Sequence, residues 1–247
     1  YGAVTSPNYL ASVAGLEVLK KGGNAVDAAI AVASTMNVVY PQMTTLGGDN
    51  FWLIYNAKTK EVKALNASGR AGEKASIAFY KQKGYDKIPS RGYLAANTVP
   101  GTVSGWDAAY RYAHKNMSNP GLPWKSLFDS AILYSRDGFP VTPSLARWEA
   151  INVDPSDSEF RNLQRFDGFR QTYLKPDGSP YKVGEIIKLP ALAHTYELIA
   201  AKGADVFYRG EIAEKIVADL EKNGGVLTMK DFANHTADWV EPLTVKY

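Results

Sequence analysis

Cysteine is absent from the 247 residues of this sequence. Disulfide bonds, thiolate zinc sites and cysteine nucleophiles are therefore excluded, and cysteine usage says nothing about the redox compartment. Apolar runs of about 18 residues are also missing, so no membrane span is predicted. The first residues, YGAVTSPNYLAS, lack the basic and apolar segments of a signal peptide. Localisation stays open between the cytoplasm and a periplasmic or extracellular compartment.

The sequence also has no large excess of positive or negative charge. The sequence has 28 basic and 25 acidic residues, and its net charge is +3. The densest basic clusters are pairs such as Lys20 and Lys21, whereas nucleic-acid binding requires a basic stripe. No nucleic-acid partner is therefore predicted. The hydrophobic content of 45% is enough for a packed core, and we expect one domain over residues 1–247.

The first third of the sequence predicts two helices and a hairpin. Helix-like spacing of apolar residues runs from about Ser6 to Gly22. Asn24 and Asp27 then form a pair like a capping box ahead of the Ala- and Val-rich stretch AVDAAIAVASTMNVV. The runs NFWLIYN and EVKALNA flank the polar turn AKTK, which is typical of a β-hairpin.

Most of the remaining sequence predicts helices. A turn followed by helical spacing occurs twice, in TVPGTVSGWDAAYRYAHK and in PWKSLFDSAILYSRDGF. Residues 152–182 are polar and contain several prolines and glycines, which predicts a surface excursion. Amphipathic helices follow, and the last residues, EPLTVKY, predict a strand. A βαβ alternation is absent. The order favours the α+β class, with helices packed on a mainly antiparallel sheet.

Thr44 and Thr45, in PQMTTLGGDNFWLIY, are candidates for a catalytic nucleophile because a threonine hydroxyl attacks when a nearby base takes its proton. The self-activating kind of threonine uses its own free amino group, which neither residue has within this chain. Polar spacers before a strand are the favoured interpretation of the pair.

The three histidines, His114, His194 and His235, have no further histidine or cysteine at metal-ligand spacing. A metal site is therefore not predicted. A Ser-His-Asp triad stays open because its members need not be close in sequence, although no serine lies in a G-x-S-x-G turn.

Arg70, in LNASGRAGEKAS, follows the second predicted strand and is flanked by Gly69 and Gly72. The two glycines would allow a backbone or a ligand to come close, and an arginine fork can bind a carboxylate with two hydrogen bonds. The alternative is a surface arginine on a loop between a strand and a helix.

The sequence resembles the γ-glutamyltranspeptidase family along nearly its whole length. The resemblance is carried by GLEVLKKGGNAVDAAIAVASTMNVVYPQMTTLGGDNFWLIYNAKTKEVKALNASGRA, by VPGTVSGWDAAYRYAHK and LPWKSLFDSAILYSRDGFPV, and by ADVFYRGEIAEKIVADLEKNGGVLTMKDFANHTADWVEPLTV. The runs GGNAVDAA and GGVLTMKDF are specific in combination.

The resemblance implies the four-layer αββα sandwich of N-terminal-nucleophile hydrolases, made as a precursor that cuts itself into a large and a small subunit. The chain would be most of the large subunit, and we expect it to be a piece of a longer polypeptide. The nucleophilic threonine, its amine base and the oxyanion-hole glycines would lie in the small subunit, outside this chain. The resemblance assigns Arg70 to the position that holds the α-carboxylate of the γ-glutamyl group. It implies no metal or organic cofactor.

The sequence departs from the transpeptidase pattern at two places. SGRAGEKA has no glutamate after the arginine and carries a short extension, and LGGDNF has Asp49 and Asn50 where the family usually has glycine. Both features are similar to the acylase and amidohydrolase branches of the superfamily. The sequence thus leaves three alternatives: a γ-glutamyltransferase or glutathione hydrolase, an acylase or small-amide amidohydrolase, and an uncleaved relative that only binds.

Overall fold

The computed structural model describes residues 2–157 and 160–245. Its helices are α1 (Tyr9–Lys20), α2 (Ala25–Val39), α3 (Ile77–Gln82), α4 (Thr102–Asn116), α5 (Asp129–Asp137), α6 (Pro143–Ile151), α7 (Asp167–Tyr173), α8 (Pro190–Lys202), α9 (Asp205–Tyr208), α10 (Glu211–Lys222) and α11 (Met229–Ala233). Its strands are β1 (Asn50–Asn56), β2 (Glu61–Ala67), β3 (Phe139–Pro140), β4 (Ile186–Ile187) and β5 (Asp238–Val240). The α+β class predicted from the sequence is confirmed.

Local side-chain chemistry sets the ends of the first two helices. The Asn8 side chain accepts a hydrogen bond from Leu10 N–H at 3.0 Å and so caps α1. The helix therefore begins at Tyr9 rather than near Ser6. Gly22, at φ +94°, follows the end of α1 in a conformation that favours glycine. The predicted capping box is present, with Asn24 capping α2.

The main sheet has the strand order β1-β2-β5, and all of its pairs are antiparallel. Trp52 pairs with Leu65, which pairs in turn with Trp239. This row and Ile54 lie on the face that packs against the helices, where Ile54 and Leu65 are buried. The opposite face is exposed and apolar. We call it the outer sheet face, and its residues are Phe51, Leu53, Tyr55, Val62 and Val240.

Helix α4 packs closely across the inner side of the β1–β2 hairpin. Gly105 has no room for a side chain, since a Cβ there would overlap Asn50 Oδ1 and the Ala67 side chain. Trp106 follows it and is fully buried, with its ring 5.9 Å from that of Phe128. The close approach of α4 fixes its N-terminus beside the end of β2.

Two predicted elements differ from the sequence-based expectation. The predicted final strand is shorter and earlier: β5 ends at Val240, and residues 241–245 form no strand, since Pro242 has no N–H for a ladder. Residues 246–247 lie outside the described part. The helix predicted after Pro123 opens with a 3₁₀ turn, Trp124–Phe128, before α5.

The segment 152–182 contains a 3₁₀ turn, Leu163–Arg165, and helix α7. Residues 158–159 of this segment lie outside the described residues. The assignment of 1–247 to one domain, with 152–182 as a surface excursion, stays a prediction.

Candidate functional site

The backbone around Arg70 is held from two sides. Gly69 N–H donates to Asp49 Oδ1 at 2.8 Å, and the carbonyl of Arg70 accepts from Val99 N–H at 3.0 Å. A Cβ at Gly69 would overlap the Val99 carbonyl, so glycine is required for this approach. The flanking glycines predicted the close approach of a backbone or a ligand. At Gly69 it is the backbone of Val99 that comes close.

The loop before β1 joins the end of β2 to the start of α4. The carbonyl of Gly48 accepts hydrogen bonds from Gly101 N–H at 2.9 Å and from Thr102 N–H at 3.0 Å. Asn50 Nδ2 donates to the Thr102 carbonyl at 2.8 Å. Asp49 and Asn50, the two departures from glycine in LGGDNF, therefore connect the elements that position Arg70.

The side chain of Arg70 lies at the end of the sheet and already has two protein partners. Its Nη1 donates to the Thr236 carbonyl at 2.8 Å, and its Nη2 donates to Asp238 Oδ2 at 2.5 Å. The Arg70 and Asp238 side chains are 53% and 52% exposed. The remaining N–H groups of the fork are available to a ligand. A carboxylate that binds here meets a guanidinium that is already paired with an aspartate.

His235 lies directly before this arginine contact and is buried. The Ser104 hydroxyl donates to the Gly101 carbonyl at 2.7 Å, so the His235 ring must donate from Nε2 to Ser104 Oγ, at 3.0 Å. Burial lowers the pKa of His235, and the positive charge of Arg70 lowers it further. The hydroxyl proton points away from the ring, which is the wrong arrangement for a serine nucleophile with a histidine base.

Tyr208 completes this cluster. Its hydroxyl donates to the Pro100 carbonyl at 2.8 Å and accepts from Ser104 N–H at 2.9 Å, while its ring stacks 5.4 Å from that of His235. Burial raises the pKa of Tyr208 to about 12. The cluster ties the start of α4 to the segment before β5, which places the Thr236 carbonyl and Asp238 against Arg70.

The hydroxyls of Thr44 and Thr45 take part in the turn before β1. Thr44 Oγ1 donates to the Tyr40 carbonyl at 3.4 Å, and Thr45 Oγ1 accepts from Gly47 N–H at 3.2 Å. Within residues 2–157 and 160–245, neither hydroxyl has a hydrogen bond to a lysine or a histidine. These contacts support the interpretation as turn residues, and the assignment of the nucleophile to another subunit stays a prediction.

The other two histidines form ordinary side-chain pairs. His114 Nε2 lies 3.1 Å from the buried Asp27, and His194 Nδ1 lies 3.8 Å from Glu197. The described part of the chain has no group of three or more His, Asp or Glu side chains placed to hold a metal ion. Of the helices in that same part, none has the length and apolarity needed to cross a membrane.

Sequence reasoning named Arg70 as the candidate carboxylate anchor, which stays a prediction, and it missed the residues that surround the Arg70 side chain. Asp238 and His235 lie more than a hundred positions further along the chain, with no motif that links them to Arg70. The pairing of β5 with β2, which sets Asn66 opposite Asp238, and the contacts of His235 with Ser104 bring these residues together.

The same architecture occurs in solved N-terminal-nucleophile hydrolases. The chain matches the γ-glutamyltranspeptidase of Pseudomonas nitroreducens, solved in complex with L-DON, with a TM-score of 0.85 and 32% identity, over 100% of this chain and 68% of that one. It matches a cephalosporin acylase of Bacillus halodurans with a TM-score of 0.85 and 35% identity, over 99% of this chain and 44% of that one. The predicted fold is therefore confirmed.

The family model described as Gamma-glutamyltranspeptidase matches residues 11–247, and the chain belongs to this family. It is 38% identical to a glutathione hydrolase-like proenzyme of Bacillus subtilis, over 99% of this chain and 43% of the relative. It is also 38% identical to the oxamate amidohydrolase proenzyme of Klebsiella pneumoniae, over 100% of this chain and 44% of the relative. The chain thus spans less than half the length of these curated relatives.

Proposed function

We propose that this chain is the larger part of the large subunit of an enzyme that cleaves γ-glutamyl amides. In this mechanism a threonine hydroxyl of the small subunit attacks the amide carbonyl, the amine leaves with a proton, and an acyl-threonine ester remains. Water or an acceptor amine then takes the acyl group, and the threonine is regenerated. The small subunit would come from the same precursor and would supply all the catalytic groups.

The observation that carries this proposal is the position of Arg70. Its backbone is fixed by Asp49 and Val99, and its guanidinium is exposed at the end of the sheet. In the proposed reaction Arg70 holds the α-carboxylate of the γ-glutamyl group, which orients the amide for attack. Neither metal nor organic cofactor has a part in these steps.

The outer sheet face supports the presence of a second subunit. Phe51 and Leu53 on this face are 69% and 75% exposed, which is unusual for large apolar side chains in neighbouring positions of a sheet. In a sandwich, such a face packs against a second sheet. We propose that the small subunit provides that sheet.

A second candidate is an acylase or small-amide amidohydrolase that uses the same threonine chemistry. The ion pair between Arg70 and Asp238 favours it, because a carboxylate already neutralises the arginine. A substrate without an α-carboxylate would leave this pair undisturbed. A relative that folds but is never cut, and only binds, is the alternative from another class.

The test uses the full-length protein that contains this chain. We expect a denaturing gel to resolve it into two chains and expect p-nitroaniline to be released from γ-glutamyl-p-nitroanilide. Arg70→Ala should lower kcat/KM about a hundredfold, because the anchoring of a carboxylate by charged hydrogen bonds is lost. Arg136→Ala, which removes another exposed arginine paired with an aspartate, is the matched control.

Different outcomes separate the candidates. If Arg70→Ala leaves the turnover of γ-glutamyl-p-nitroanilide unchanged, the proposed role of Arg70 in binding the α-carboxylate is contradicted. Hydrolysis of simple amides, with none of γ-glutamyl compounds, selects the amidohydrolase. A single uncut and inactive chain selects the binding protein.

A further inference from the structure

A separate cavity lies between the segment that follows α2, helix α6 and helix α7. Its volume is about 240 Å³, and its walls include Gln42, Trp148, Glu149, Phe169 and Tyr173. At about 30 Å³ for each water-sized group, the cavity has room for about eight non-hydrogen atoms. It shares no residue with the contacts of Arg70.

Glu149 is the distinctive group in this cavity. Its side chain comes from α6, and the residue is only 3% exposed. Oε2 accepts a hydrogen bond from Tyr181 N–H at 3.2 Å, but Oε1 is buried with no hydrogen-bond partner. Burying an unpaired carboxylate is costly, so the group either takes a proton or needs a cation. Burial accordingly raises the pKa of Glu149 to about 7.

The charged and titratable groups around Glu149 do not neutralise it. Arg91 lines the cavity, yet it is exposed, and its Nη1 donates to the Ser90 carbonyl at 3.2 Å. Tyr173, from α7, adds a hydroxyl whose pKa is raised by burial and by the charge of Glu149. In the described part of the chain, Glu149 has no salt-bridge partner.

A second acceptor lies in the same wall. The side-chain amide of Gln42 donates from Nε2 to Ser144 Oγ at 3.2 Å, and its Oε1 is buried without a partner. The walls of the cavity therefore hold two oxygens in need of donors, one of them on a carboxyl group, and a rotation of each side chain would turn its oxygen out of the wall toward a ligand. Trp148, Phe169 and Tyr173 add aromatic rings, which attract cations to their faces.

We propose that this cavity binds a small organic cation with N–H donors, such as a primary ammonium compound. Glu149 and Gln42 would accept its hydrogen bonds, and the aromatic rings would contact its carbon atoms. If Glu149 is protonated before the ligand binds, its carboxyl group releases that proton to solvent, and the resulting carboxylate pairs with the ammonium ion. This site is independent of the threonine chemistry.

The test is isothermal titration of the full-length protein with butylammonium chloride. We expect saturable binding to one site, weakened at least about tenfold in Glu149→Gln, because the charge-assisted hydrogen bond is lost while the shape is kept. Glu221→Gln, which removes a charge from an exposed position on α10, should bind as the wild type does. Butanol, a neutral molecule of similar shape, should not bind.

Two further measurements bear on the same proposal. At pH 6, below the Glu149 pKa of about 7, heats measured in phosphate and in MES should show proton release on binding, and this release should vanish in Glu149→Gln. Trp148→Leu keeps the carboxyl group and should weaken binding a few-fold, so it provides a second test should Glu149→Gln fail to fold. Absence of butylammonium binding, equal affinity in Glu149→Gln, or equally tight binding of tetramethylammonium would overturn the proposal.

Discussion

The carboxylate of Asp238 lies 2.5 Å from Nη2 of Arg70, although the two residues are 168 positions apart in the sequence. The pair forms where β5 joins β2 and is completed by the Thr236 carbonyl on Nη1. The arginine that would anchor a substrate carboxylate is therefore in contact with a carboxylate of its own chain. An anionic substrate that binds at Arg70, as proposed, would have to compete with Asp238 or share the guanidinium with it.

Asp238→Asn should change substrate preference in the active protein. The amide keeps the shape of the side chain but no longer neutralises Arg70, so a substrate carboxylate is bound more tightly. We expect KM for γ-glutamyl-p-nitroanilide to fall about three- to tenfold, while KM for 4-aminobutyryl-p-nitroanilide, which lacks the α-carboxylate, does not fall. Asp137→Asn, at another exposed aspartate paired with an arginine, is the control. Equal changes with both substrates would count against competition at Arg70.

Gly69→Ala should destabilise the protein, because the added methyl group would overlap the Val99 carbonyl and force apart the two backbones that hold Arg70. We expect a loss of about 2–4 kcal/mol, in the range of severe packing changes. Gly168→Ala is the matched control, since a Cβ in that part of α7 meets nothing within 4 Å. It should be neutral or slightly stabilising. Thermal unfolding of both variants is the measurement, and equal melting temperatures would contradict the close approach at Gly69.

The lowered pKa of His235 predicts a stability that falls in acid. The unfolded chain takes up a proton near the ordinary histidine pKa of about 6.5, whereas the buried ring resists it, so acid favours unfolding below that pH. His235→Gln keeps a donor for Ser104 but does not titrate. Its melting temperature should therefore decrease less than that of the wild type between pH 7 and pH 5. His194→Gln, at an exposed histidine, should behave as the wild type does.

The sequence predicted the parts of the fold that depend on near neighbours. The capping box at Asn24 and the hairpin of β1 and β2 both follow from residues a few positions apart, and both are present. The family resemblance predicted the fold as a whole. The position of Arg70 after β2 also followed from local pattern.

The surroundings of Arg70 could not be predicted in this way. The contact with Asp238 depends on the pairing of β5 with β2, and a strand of three residues leaves only a weak periodic signal. The approach of Val99 to Gly69 depends on the packing of α4, because Gly101, before that helix, has no room for a Cβ beside the Ala67 carbonyl. Long-range packing of this kind has no counterpart in the spacing of residue types.

The outer sheet face has a consequence for handling the protein. Phe51 and Leu53 are exposed on β1, and in the part of the chain that the structure describes no strand pairs with the free edge of β1. An apolar face next to an open edge is a template for aggregation. Produced by itself, this chain should accumulate in inclusion bodies, and co-expression with the proposed small subunit should keep it in solution.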